Sequence, residues 1–495
     1  MTLADVLWWT SAIAYLAVSA GLFAYGMNYY YLAAMWARFR RVPVAARDAI
    51  ESFPMVTVQL PVYNERYVAG RLIQAVAAFD WPRDRLEIQV LDDSDDDTPE
   101  LIAPLVRELR DRGVRIEVLR RESRVGYKAG ALAVGLTRAS GQFLAIFDCD
   151  FVPPADFLRR AMPEFADPRV GLVQTRWGHL NREYSRLTQA QALGVDGHFA
   201  VEQEVRSRAG FLINFNGTAG IWRRTCIEDA GGWSADTLAE DLDLSYRAQL
   251  AGWRCAYRKD IVCPAELPAQ LHAFKRQQFR WAKGSIQVFL KLKGRVLRSD
   301  LRPPQKVGAL VHLSLYMVHP FMLASFLLLP PLLLSGSLHP IIPALFAMAS
   351  LGPAAMYLAS QWEFERPRFA RRALLLPYLT ILGMGQCLSN TKAVAEAFLG
   401  RRSAFLRTPK FGIVGSDGHW RGKRYALRGD WTAVGEWALA AYGVAVMFAA
   451  LRLGNWWTLP WATLFTAGFV LVGALAVSHS HAGRLVAGSR DAETA

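Results

Sequence analysis

Hydrophobic and polar positions follow two different rhythms along this chain. Long apolar runs occupy 6–36, 307–334, 338–360, 373–388, 434–451 and 456–478. Each is near the roughly 20 residues that a helix needs to cross a bilayer, 373–388 being the shortest. Between the first two runs, about 50–300, short apolar bursts alternate with charge, the pattern of a globular domain. Within it Val56–Pro61 and Leu86–Leu91 read as buried strands that end at polar residues, with helical apolar spacing from Val68 to Phe79 between them. Ile116–Leu119 and Phe143–Phe147 continue the pattern. The expectation is an α/β domain with a mostly parallel sheet, its functional residues at the carboxyl ends of the strands.

The runs divide the chain into a transmembrane helix at 1–37, a globular domain at 50–270, an amphipathic interface helix at 271–300, transmembrane or interface helices at 307–400, a basic loop at 401–430 and a C-terminal helix pair at 434–480. The first run lacks the basic start and small-residue cleavage site of a signal peptide and ends in Tyr29, Tyr30, Tyr31 and Trp36, so it reads as a retained anchor. Arg38, Arg40, Arg41 and Arg47 follow it, which puts the globular domain on the cytoplasmic side of a multi-pass protein of the plasma (inner) membrane. If every later run crossed once, the basic 401–430 loop would fall outside. One run between 307 and 398 is therefore expected not to cross, with part of 373–398 lying at the interface or re-entering.

The net charge is +14, and much of the excess flanks apolar runs, at 366–372 and 401–428. Lipid headgroups and topology account for it without nucleic acid. Five cysteines with no CxxC pair fit a reduced compartment and give no zinc site.

Candidate chemistry clusters after the strands. Tyr63 and Glu65 follow the first, Asp92 and Asp93 the second; an aromatic face and carboxylates there suit a nucleotide, although a polar turn would carry the same residues. Lys128, between glycines near a helix start, suits a diphosphate. Asp148 and Asp150 are alternate residues after Phe143–Phe147, so both carboxylates can face one Mg2+ or Mn2+ ion. The small-residue stretch Asn216-Gly217-Thr218 precedes a second acidic cluster, Glu240-Asp241, which supplies a base for an attacking hydroxyl. Gln277, Arg280 and Trp281 form a QxxRW pattern just before the membrane.

Together these residues resemble the processive, inverting family 2 glycosyltransferases of GT-A fold: cellulose synthase, hyaluronan synthase and, above all, the plant cellulose-synthase-like mannan and xyloglucan-backbone synthases. The resemblance rests on Val201–Val205, Phe215–Arg223, Gly231–Trp233, Glu240–Leu244 and Gln277–Trp281 in the same order, and covers about 53–300. It implies that Tyr63, Glu65, Asp92, Asp93, Lys128 and Asp148 bind the nucleotide, that Asp148 and Asp150 bind Mg2+ or Mn2+, and that Asp241 is the catalytic base. Asn216, Gly217, Thr218, Glu240, Gln277, Arg280 and Trp281 would hold the growing glycan acceptor. Phe405, Thr408 and Lys410 match a gating-loop pattern, from which Arg407 departs where the family has valine.

The implied activity is polymerisation of a β-linked glycan from UDP-glucose or GDP-mannose, with export across the lipid bilayer and an export or accessory subunit left open. The alternative is a non-processive transferase acting on a membrane lipid. His312, His319 and Gln386, polar within apolar runs, would face a moving glycan or satisfy neighbouring helices.

Overall fold

Seven strands, β1 (Val56–Val62), β2 (Leu86–Asp92), β3 (Ile116–Leu119), β4 (Phe143–Ile146), β5 (Val170–His179), β6 (Gly220–Arg223) and β7 (Arg254–Ala265), form one sheet in the order β3-β2-β1-β4-β6-β5-β7. This computed structural model describes residues 3–42, 52–334, 341–429 and 431–493. Arg47, residues 338–340 of the third apolar run and residue 430 of the basic loop lie outside them.

β1 pairs in parallel with β2 and β4, and β2 with β3. Such strands are covered on both faces, which is why they read as unbroken apolar runs: Val56, Val58, Leu60, Ile88 and Val90 are all fully buried. The helix Thr98–Asp111 turns Ile102, Val106 and Leu109 onto the sheet, and Ala69–Ala77 does the same with Leu72, Ile73 and Val76.

β6 runs antiparallel to both β4 and β5, and β5 is parallel to β7. Because β6 is reversed, its beginning, not its end, reaches the edge where β1, β2 and β4 finish. The sheet therefore gathers the residues after β1, β2, β4 and β7 and those before β6 along one edge. β1 and β2 each run one residue beyond the strand expected from sequence, and β4 stops at Ile146 with Phe147 buried just after it.

Around this domain are helices of membrane length. Among the described residues, Trp8–Phe39, Thr432–Arg452 and Leu459–Ser480 are long and apolar enough to cross, and Pro303–Leu313 with Leu315–Leu327 forms a pair bent by 56°. Leu376–Gly385 has ten residues, or about 15 Å of helix, half the thickness of a hydrocarbon core. It packs closely on the last span: a Cβ on Gly385 would lie 2.1 Å from the Gly468 carbonyl oxygen, the close backbone approach that small residues permit between membrane helices. The helix Leu271–Arg298 is tied to this bundle by ion pairs of Lys283 with Glu396 (2.7 Å) and Lys275 with Glu436 (2.5 Å).

Candidate active site

A cavity of about 560 Å³ opens at the carboxyl edge of the sheet and extends between the membrane helices. Its sheet end is built around Asp148 and Asp150. Ala219 donates its N–H to the Ile146 carbonyl (2.8 Å), which lays the start of β6 against the end of β4. The Asp148 N–H donates to the Thr218 hydroxyl at 2.9 Å, so Thr218 is turned inward and supports the acidic motif without lining the cavity. Lys128, the second residue of helix Tyr127–Arg138, spans the cavity floor: its ammonium donates to Asp148 Oδ1 (2.6 Å) and to the Gly217 carbonyl (2.8 Å).

Gly217 has φ +80°, and a Cβ there would fall 2.8 Å from Asp241 Oδ2. The turn thus brings the Asn216–Gly217 backbone against Asp241, in the first turn of helix Glu240–Leu250. Burial and the charge of neighbouring Glu240 push the Asp241 carboxyl up to about 7, against the pull of Lys128, the Leu242 N–H and Arg280. A carboxylate in that range is suited to accept a proton near neutral pH.

Of the expected nucleotide residues, Tyr63, Glu65, Asp93, Lys128 and Asp148 line the cavity and Asp92 does not. β2 runs through Asp92, so its side chain points inward, fully buried, with Oδ1 accepting the Ser94 N–H at 2.9 Å. Asp93, the next residue, faces the cavity and is gripped by Arg121, whose Nε donates to Oδ1 at 2.9 Å. The Tyr63 ring is covered on one face by the Arg124 guanidinium, 3.3 Å from the ring centroid.

Of the residues expected to hold the acceptor, Asn216, Gly217, Glu240, Gln277, Arg280 and Trp281 all line the cavity. Trp281 lies 6.5 Å from Trp177, centroid to centroid. Arg280 covers the Phe405 ring at 4.5 Å, which connects QxxRW to the 401–430 segment.

That segment lies in the site. The Lys410 ammonium donates to Asp150 Oδ2 at 2.7 Å, and Arg407 is 3.2 Å from Glu65 Oε1. Burial pushes Glu65 up to about 8 despite Arg407, with the charge of Asp150 adding to the rise. Thr408 is buried beside them. Arg407, the departure from the family pattern, thus lies against Glu65, one of the residues expected at the nucleotide. Glu266, at the end of β7, clamps the segment: its carboxylate accepts the N–H groups of Phe411 (2.8 Å), Gly412 (2.8 Å) and Ile413 (3.2 Å).

Asp148 and Asp150 fit a divalent cation in charge and ligand type, for two ammonium groups now balance them. Among the described residues no set of three or more His, Cys, Asp or Glu converges as a metal site. Two hard carboxylates leave the remaining positions to water and phosphate oxygens, the usual arrangement for Mg2+ bound with a nucleotide.

Sequence reasoning assigned no role to Arg121, Arg124, Glu266, His198 or Glu202. For Glu266 a signal existed in its place after an apolar strand end, and for His198 and Glu202 in their spacing of four on a helix.

Residues 54–284 match the family described as glycosyltransferase like family 2. Over 269 residues the chain is 43% identical to glucomannan 4-beta-mannosyltransferase 2 of Arabidopsis thaliana, covering 53% of this chain and 50% of that protein. It is also 43% identical over 250 residues to probable glucomannan 4-beta-mannosyltransferase 9 of Oryza sativa subsp. japonica, covering 50% and 47%. The chain spans about half the length of these curated relatives. Among solved structures, the mannosyltransferase PcManGT from Pyrobaculum calidifontis, in complex with GDP-Man and Mn2+, superposes with a TM-score of 0.50 at 23% identity, covering 79% of this chain and 99% of that one. At that identity the likeness speaks for the fold. Residues 54–284 are thus similar in sequence to glycosyltransferase like family 2, and their strand order and fold are those of a GT-A domain.

Proposed function

We propose that the chain is a membrane-embedded, inverting hexosyltransferase that polymerises a β-linked mannan from GDP-mannose and passes the product across the bilayer. The observation that carries this reading is the continuity of one cavity from Asp148 and Asp150, past Asp241, to Tyr29, Tyr316, His319, Tyr357 and Gln386 on the membrane helices. A transferase whose acceptor is a short soluble sugar has no need of that extension.

In this reading Asp241 takes the proton of an acceptor hydroxyl, and the freed oxygen attacks the anomeric carbon of the donor. The bond from that carbon to the diphosphate oxygen breaks on the opposite face, and the nucleoside diphosphate leaves with its electron pair. One displacement turns an α-linked donor into a β-glycoside. Asp148 and Asp150 would hold the divalent cation, which supplies charge to the leaving diphosphate. Lys128 and Arg280, whose charges both reach Asp241, add positive charge where negative charge develops. Trp281 offers a flat face to the acceptor sugar, and Gln277 is placed to fix its hydroxyls. The similarity to glucomannan 4-beta-mannosyltransferases, and to the fold of PcManGT, which was solved with GDP-Man and Mn2+, supports GDP-mannose and a divalent ion over UDP-glucose.

The test is incubation of purified protein with labelled GDP-mannose or UDP-glucose and Mg2+ or Mn2+, with and without a polyprenyl-phosphate acceptor. High-molecular-weight β-glycan from GDP-mannose is the expected product. A lipid carrying a single sugar would replace the synthase reading by the lipid-transferase one.

A further inference from the structure

A single π-helical turn, His198–Glu202, sits where the cavity passes from the sheet to the membrane helices. Such turns are rare and cluster at functional sites. His198, Glu202 and Asn216 all line the cavity here. They belong to one chain of hydrogen bonds whose directions are fixed from one end.

The fixed end is the Asn214 carbonyl, which can only accept. Gln203 Nε2 donates to it at 2.8 Å, so the amide of Gln203 has one orientation. The same Nε2 donates to Asn216 Oδ1 at 2.8 Å, which turns the Asn216 NH2 toward His198. Asn216 Nδ2 then donates to His198 Nε2 at 3.0 Å. His198 Nε2 is therefore the bare nitrogen, and Nδ1 carries the proton and donates to Glu202 Oε2 at 2.9 Å. Glu202 is in turn an anion held by Arg206, whose Nε donates to Oε1 at 3.2 Å. Burial alone would raise the Glu202 carboxyl, but the hydrogen bond from His198 and the charge of Arg206 hold it well below the usual range.

Each Asn216 amide atom but one is thereby committed. The second Nδ2 proton has no protein partner among the described residues, and the next residue, Gly217, lies against Asp241. We propose that His198, clamped by Glu202, is a positioning residue for the acceptor sugar: it fixes the Asn216 amide so that its remaining N–H meets an acceptor hydroxyl beside the catalytic base. The role rests on the glycosyltransferase reading above for what the acceptor is, a β-linked hexose chain. His198 acts through Asn216 and takes no part in the proton transfer to Asp241.

The experiment uses full-length protein in nanodiscs with β-1,4-mannotetraose as acceptor and GDP-mannose with Mn2+ as donor. Mannotetraose binding is followed by the fluorescence of the cavity tryptophans, and transfer by labelled product. His198→Ala should weaken mannotetraose binding and raise its KM by about tenfold, while the KM for GDP-mannose stays within about twofold. His198→Gln, whose side-chain oxygen can accept from Asn216 in place of Nε2, should recover most of the loss. The inference is overturned by an unchanged mannotetraose affinity in His198→Ala, by equal losses for donor and acceptor, by a Gln variant no better than Ala, or by wild-type protein that does not bind mannotetraose. Wild-type protein that binds mannotetraose through His198 but transfers no mannose would sustain the positioning role and remove the proposed donor.

Discussion

In the proposed reaction Asp241 is the residue on which the chemistry turns, and its surroundings set both its reactivity and its pH range. It is enclosed with Glu240 on one side and Lys128 and Arg280 on the other. Its carboxyl is raised to about 7, so below that pH it is protonated and cannot act as a base, whereas above it the anion is available. The rate of transfer at saturating substrate should therefore rise through about pH 7 and level off. Asp241→Asn keeps the shape and removes the base, and the expected loss of rate is about 10²–10⁴-fold with GDP-mannose affinity retained. Initial rates from pH 5.5 to 9 and a donor titration of the variant measure both. A variant with full activity would exclude Asp241 as the base, and a wild-type rate that is flat across pH 7 would exclude the raised carboxyl as the group that limits it.

At the scale of elements, the segment around Lys410 is held by Glu266 more than by any side chain of its own. Glu266 receives three consecutive backbone N–H groups from 411–413, and a carboxylate can accept all of them where an amide cannot. Glu266→Gln sets an NH2 against N–H donors, and losing even one charge-assisted bond is worth about 1.5–3 kcal/mol. Amide exchange at Phe411–Ile413 should quicken by about tenfold or more with β1 unaffected, as read by hydrogen–deuterium exchange of the two peptides. Unchanged exchange would mean that the segment is anchored elsewhere.

Glu266 also illustrates where the sequence stops being readable. β1, β2 and β4 are covered on both faces, so their apolar runs announce them, and the carboxylates just beyond were found with them. β7 carries Arg254, Arg258, Lys259 and Asp260 in its first part and only the short apolar stretch 261–265 after them. β6 is four residues after a glycine turn, and neither carries a long apolar run. Asp92 and Asp93 were equivalent as letters, and the pleat of β2 alone decides which one faces the cavity. Glu266, Arg407 and the His198–Glu202 pair acquire their meaning from residues 411–413, Glu65 and Asn216, partners that the fold brings near from other elements.

For the whole molecule, the central relation is between the acceptor site and the membrane bundle. QxxRW lies on the Leu271–Arg298 helix, and Lys275 on that helix is buried against the last two spans' first member, Thr432–Arg452. Its ammonium donates to Thr432 Oγ1 at 2.6 Å and to Glu436 at 2.5 Å, with the side chains of Lys275 and Glu436 only 3% and 0% exposed. Removing one member of a buried pair takes a compensating charge from the other, at a cost of about 3–5 kcal/mol. Replacing both by apolar residues of similar volume is often neutral or stabilising, because neither charge then has to leave water. Lys275→Met and Glu436→Leu should each lower the thermal unfolding midpoint in detergent, while the double variant returns to the wild-type value or above it. If the pair also sets the height of Arg280 and Trp281 over the cavity, the double variant will be stable yet will make shorter glycan than the wild type. Chain-length analysis of its product separates that positional role from plain stability, and product of wild-type length would confine the pair to holding the bundle together.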